Sequence, residues 1–144
     1  MDKLRHVTIY MRFAREPRAW IYCRVAAPDA FALKAQQEEL MAFAEKNHYK
    51  VVGCTSEQGA GTTMERPGLA EVTNAALRGE MDILLVVNVS RLGRNIWIMS
   101  EYVDWLDKHN VEVVCLDGGF SIQEVRRFLR AKQAMQGGAS GDTI

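Results

Sequence analysis

The chain carries no net charge: 18 Lys and Arg balance 18 Asp and Glu over 144 residues. Overall charge therefore gives no pull towards a polyanion, and any affinity for nucleic acid has to come from local clustering. No apolar run approaches the roughly 20 residues of a membrane span. The N-terminus has scattered charges rather than a signal-peptide pattern. Cysteine is scarce, and Cys23, Cys54 and Cys115 form an odd set without metal-ligand spacing. Each lies in an apolar, strand-like stretch where a free thiol behaves as a small hydrophobe, so a reducing, cytoplasmic setting is expected. His6, His48 and His109 share no catalytic or metal-binding spacing. No Gly-rich phosphate loop directly follows a strand, which puts a small-molecule nucleotide domain last among the readings.

What is present fits one domain with its own core, at 48% hydrophobic and 25% charged residues. Ala19–Val25 reads as a buried strand ending at Arg24, and Ala30–Lys46 as a helix with Leu33, Leu40, Met41 and Ala44 on one face. Tyr49–Cys54 reads as a second strand and Ser56–Glu65, rich in Gly and Thr, as a loop. Pro67 suits the first turn of a helix that Leu69, Val72 and Ala76 carry to Gly79. Asp82–Asn88 has the continuous apolar run of a strand covered on both faces. Ile96, Met99, Val103 and Leu106 mark an amphipathic helix ending near His109-Asn110, with Trp97, Tyr102 and Trp105 as core or subunit-contact residues. Val111–Leu116 is another buried strand. After the turn Asp117-Gly118-Gly119, Ser121 and Glu124 form a capping box before a short final helix. Strands alternating with helices predict a three-layer α/β domain over 19–136, with a mostly parallel sheet of about four or five strands. Residues 137–144 are expected to be a disordered tail.

Two basic clusters stand out, Lys3, Arg5, Arg12, Arg15, Arg18 and Arg24 near the start, and Arg126, Arg127, Arg130 and Lys132 near the end. Each is either a solvated face or a phosphate-facing one. Residues 1–18 form an arm or an extra strand, because Ile9-Tyr10-Met11-Arg12-Phe13-Ala14 nearly copies Ile21-Tyr22-Cys23-Arg24-Val25-Ala26. Chance similarity of six residues is the lesser alternative for that copy.

The chemistry gathers in four segments: Ile21–Ala26, Gln36, Glu65-Arg66-Pro67-Gly68-Leu69 and Ser90-Arg91-Leu92-Gly93-Arg94-Asn95. Guanidiniums on separate loops and strand ends suit a phosphodiester, whose oxygens accept bidentate hydrogen bonds from the planar fork. Any one of these arginines alone is most simply an ordinary surface or strand-end charge. Arg91 and Arg94 at a helix start oppose the helix dipole unless an anion sits between them. In order and spacing the segments resemble the catalytic domain of serine recombinases, the resolvase/invertase family, over about residues 19–117.

That resemblance implies a metal-free and ATP-free DNA strand transferase, with no cofactor. In it a serine forms a phosphoserine bond with the 5′ end, leaves a free 3′-OH, and the strands rejoin after subunit rotation. Arg24, Arg66, Arg91 and Arg94 match the family's active-site arginines, and Gln36 a supporting glutamine. Glu57 stands where an aspartate is usual, Ser90 where an aspartate commonly precedes the paired arginines, and Ala60-Gly61 where Ser-Gly is frequent in a mobile loop. Ala26 occupies the position of the nucleophilic serine, and a methyl cannot attack phosphorus. The implied partners are DNA and a second copy in a homodimer, with a tetramer on DNA as the larger assembly, and no membrane. The family's longer helix and separate DNA-binding domain are not evident, so binding is expected to be weak and mostly electrostatic. Three readings stay open: a cleavage-deficient recombinase domain, an active one using Ser56, Thr62, Thr63 or Ser90, and a non-enzymatic dimerisation or regulatory domain that kept the fold.

Overall fold

The computed structural model describes residues 15–118 and 122–140. The apolar run predicted at 19–25 forms β1 (Arg18–Val25), and its alternation decides the layering. Ala19, Ile21 and Cys23 turn to one face, against Leu40 and Ala44 of α1 (Ala30–Lys46). Tyr22 turns to the other, among Leu69 and Val72 of α2 (Pro67–Leu77) and Met99, Val103 and Leu106 of α3 (Ile96–Lys108). A strand apolar on both faces belongs inside a doubly covered sheet. β2 (Lys50–Gln58), β3 (Ile83–Val86) and β4 (Glu112–Cys115) complete that sheet in the order β2-β1-β3-β4, with every pair parallel. The expected three-layer α/β architecture is the one observed.

The strand order creates a switch point. From β1 the chain moves to β2 on one side; from β3 it moves to β4 on the other. The loops after β1 and β3 therefore diverge and leave a crevice at the carboxyl ends, where open α/β sheets bind ligands. The N-terminal ends of the same two strands are tied by the buried Asp82, which accepts bonds from the Arg18 backbone N (2.9 Å) and from the guanidiniums of Arg18 (3.0 Å) and Arg15 (2.9 Å).

Several boundaries differ from the sequence reading. β2 continues to Gln58, into the segment read as loop, because β1 offers it a partner as far as Val25↔Gln58. As an edge strand it exposes alternate residues, so Cys54 faces solvent rather than packing as a buried hydrophobe. The final helix is not short: α4 (Ile122–Ser140) runs 19 residues and passes Gly137, where a disordered tail was expected to begin. It packs on α3 through buried Val125 and an edge-to-face contact of Trp97 with Phe128 (6.0 Å). Arg126 pairs with Asp107 (2.8 Å) and Lys132 with Glu101. Residues 1–14 with the Ile9–Ala14 copy, Ser121 of the capping box, and 141–144 lie outside the described residues. Among the described residues no helix is long and apolar enough to cross a membrane.

Candidate functional site

Period-two geometry carries Arg24 to the same face of β1 as Tyr22, at the carboxyl end of the strand. Gln36, buried on α1, fixes that end like an added strand: its amide oxygen accepts from Arg24 N (3.3 Å) and its nitrogen donates to Arg24 O (3.0 Å). The Arg24 side chain, itself buried, then reaches across the crevice. Nε donates to Arg91 O (2.9 Å), Nη2 to Ser90 O (2.9 Å) and Nη1 to Gly59 O (2.7 Å). Arg91 closes the clasp from the other side, with Nη1 donating back to Arg24 O (3.0 Å). Arg91 Nε is buried and has no hydrogen-bond partner among the described residues.

Arg66 enters from the start of α2 and is also buried. Nε donates to the Tyr22 hydroxyl (3.2 Å), Nη1 to Ala60 O (3.0 Å) and Thr63 O, and Nη2 to Leu92 O (2.6 Å) and Arg91 O (3.4 Å). A guanidinium has five N–H donors, and every one of Arg66's has an acceptor inside the fold.

Glu57 supplies the carboxylate. It accepts from the Tyr22 hydroxyl (2.5 Å), pairs with Arg66 Nε (3.6 Å), and accepts from Gly68 N (2.8 Å) at the start of α2. Arg66, the N-cap of α2, makes no capping bond, so a carboxylate from β2 meets the positive end of the helix instead. Gly68 allows this approach, since a Cβ there would stand 2.5 Å from the Glu57 carboxyl carbon. Burial and the bond to Glu57 push the Tyr22 hydroxyl well above its ordinary pKa.

Arg94 precedes Asn95, whose side chain caps α3 by accepting from Trp97 N (3.0 Å). Its backbone N donates to Gly61 O (2.8 Å). A Cβ at Gly61 would lie 2.9 Å from Arg24 Nη2 and 3.0 Å from Arg94 Cγ, so the two arginines flank one glycine. The Arg94 side chain is exposed and makes no ion pair among the described residues. The cations feel one another. Burial first, then the charges of Arg66, Arg91 and Arg94, hold the Arg24 guanidinium below its usual pKa. Like charges crowded this way favour a bound anion.

Ala26 lies exposed in the bend directly after β1, its Cα within about 7 Å of that of Arg24 by chain reach alone. Ser90 is exposed beside the cluster, its hydroxyl bonded to Asn88 Oδ1. Arg24, Arg66, Arg91, Arg94, Gln36, Glu57 and Ser90 are thus brought to one end of the sheet. Among the described residues no group of three or more His, Cys, Asp and Glu could hold a metal ion. Sequence reasoning missed Tyr22, which bridges Glu57 and Arg66. Its spacing two residues before Arg24 was the available signal. The carbonyls of 59–63 and 90–92 carry no signal in residue type.

The second basic cluster is less uniform than the sequence suggests. Arg126 and Lys132 are spent on carboxylates of α3, while Arg127 and Arg130 are exposed and unpaired among the described residues.

The fold is shared with solved structures. The chain is similar to the N-terminal catalytic domain of TP901-1 integrase at 21% identity and a TM-score of 0.70, covering 88% of this chain and 99% of that one. It is similar to a resolvase family site-specific recombinase from Streptococcus pneumoniae at 19% identity and a TM-score of 0.71, covering 89% and 93%. The C-terminal catalytic domain of ISC1926 TnpA, an IS607-like serine recombinase, matches at 24% identity and a TM-score of 0.66, covering 85% and 84%. The family model described as "Resolvase, N terminal domain" matches residues 19–138. With most of its length inside that match and this sheet order, the chain belongs to the serine recombinase family as its resolvase-type catalytic domain.

Proposed function

We propose that this domain binds DNA phosphates for strand exchange as part of a recombinase, and that it is cleavage-deficient as written. The observation that carries the reading is the meeting of Arg24, Arg66, Arg91 and Arg94 over the carboxyl ends of β1 and β3, with Ala26 exposed at the rim. Such a cluster stabilises charge on a phosphodiester and on the phosphorane formed from it. What Ala26 lacks, at the position of the family's serine, is an attacking oxygen. A nucleophile must sit in line within about 3–3.5 Å of phosphorus. The Tyr22 hydroxyl is inaccessible and held protonated. The Ser90 hydroxyl donates to an amide oxygen, which is no general base. Thr62 and Thr63 are exposed on a loop. A homodimer, assembling to a tetramer on DNA, is the oligomeric state that this reading implies.

A covalent-trapping assay tests it. A suicide duplex taken from a randomised pool enriched for binding is incubated with wild type and with Ala26→Ser, and adducts are read on a denaturing gel. No adduct is expected with wild type, and a 5′-phosphoserine adduct with Ala26→Ser. A wild-type adduct would mean that another hydroxyl does the chemistry.

A second reading, a non-enzymatic interaction domain that kept the fold, draws support from Arg66, whose donors are all used internally. On that reading the arginines hold loops together and bind nothing.

A further inference from the structure

The segment 59–63 is held to the site through its backbone oxygens. Gly59 O accepts from Arg24 Nη1, Ala60 O and Thr63 O accept from Arg66 Nη1, and Gly61 O accepts from Arg94 N. On the facing loop Ser90, Arg91 and Leu92 take donors of the same two arginines. These carbonyl oxygens take guanidinium donors that a phosphate would otherwise need. Arg66 has no donor left for a ligand, and Arg24 has two of its five.

Beyond these bonds, the segment has Gly59 N donating to Val25 O at the end of β1 (3.0 Å). Its residues are Gly59, Ala60, Gly61, Thr62 and Thr63, so it contributes no large apolar side chain to the core. Segments with few buried apolar contacts occupy the low-stability end of a fold and open locally. The arginines, by contrast, start from β1 and from the N-cap of α2, elements that pack on the core through Tyr22, Leu69 and Val72. The exchange is therefore asymmetric: the cover can leave while the guanidiniums stay.

We propose that segment 59–63 is an internal cover that occupies the Nη1 donors of Arg66 and one donor of Arg24 in place of phosphate, so that a DNA strand engages these donors only by displacing it. The proposal rests on the reading of the site as a phosphodiester site. Closure lowers the apparent affinity for DNA by the fraction of molecules that are open, and loosening the cover raises it. Arg91 and Arg94, which are less committed, are the groups that a strand meets first.

Hydrogen–deuterium exchange on the full chain tests this, with and without a short mixed-sequence DNA duplex at low salt, with binding followed by anisotropy in the same samples. Uptake is expected to rise on binding in peptides spanning 59–64, while peptides within 19–25 stay protected. Gly61→Ala provides the second arm, because its Cβ crowds Arg24 and Arg94. It is expected to raise uptake in 59–64 without DNA and to tighten duplex binding several-fold. If the duplex binds in an Arg91-dependent way while uptake in 59–64 stays level or falls, the cover is wrong and the phosphate site stands. Gly61→Ala that loosens the segment without tightening binding also overturns the cover. No Arg91-dependent binding overturns the site and the cover together.

Discussion

At Glu57 one carboxylate serves three segments at once: the Tyr22 hydroxyl of β1, the Arg66 guanidinium, and the N-terminus of α2. Replacing it with the isosteric amide keeps the shape and removes the charge. Glu57→Gln is expected to lose about 1.5–3 kcal/mol of stability, the range for a hydrogen bond to a charged group. Tyr22→Phe, which removes the hydroxyl bonded to both Glu57 and Arg66, is expected to lose a similar amount, about 1.5–3 kcal/mol. Urea unfolding of both variants checks these losses, and negligible ones would show that the network carries no stability. The arginines of this site were legible because guanidinium at strand and loop ends is an uncommon choice with a chemical reason. Tyr22 was not, since a tyrosine in a buried strand reads as core until its hydroxyl is given a partner. The absence of a hydroxyl at Ala26 was legible at once. The saturation of Arg66 was not, because its acceptors are backbone atoms that every residue owns.

At the scale of elements, the strands set the spacing of the crevice and Asp82 sets the strands. It joins the start of β3 to the start of β1 and to Arg15 before it. Burial alone would raise its pKa, but the hydrogen bonds from Arg18 and the charges of Arg18 and Arg15 outweigh it, and the net shift is downward. The unfolded state then binds a proton at a higher pH than the folded one. The stabilisation is complete above the ordinary aspartate value of about 3.9 and disappears as pH falls through the lower folded value. Asp82→Asn is expected to flatten the stability profile below about pH 4, measured by chemical denaturation across acid pH; an unchanged slope would remove Asp82 from the acid limb. The helices and strands were legible from apolar periodicity, whereas Asp29 and Asn95 were not singled out as caps. The ends were harder. β2 gained four residues beyond Cys54 because a neighbouring strand was there to pair with, and pairing partners are not written in the segment itself.

At the scale of the molecule, zero net charge coexists with a site that gathers four guanidiniums, of which Arg66 pairs with Glu57. The alternation of strands and helices made the layered parallel sheet legible, and the switch point follows from the order β2-β1-β3-β4, which a single sequence does not state. That order is what lets residues as far apart as Arg24 and Arg91 clasp each other's backbone. Weak, salt-dependent DNA binding through a few phosphates is the expected whole-molecule property, and each lost contact should reduce the salt slope by about 1.

The most direct measurement of the central claim is the affinity of the wild type, Arg91→Ala and Arg94→Ala for one mixed-sequence DNA duplex, titrated across salt concentrations with folding checked by circular dichroism. A charge-assisted contact of about 1.5–3 kcal/mol predicts a loss of roughly tenfold or more for each variant, with a shallower salt dependence. Folded variants that bind as tightly as wild type, with the same salt slope, would contradict the claim that these arginines form a phosphate site.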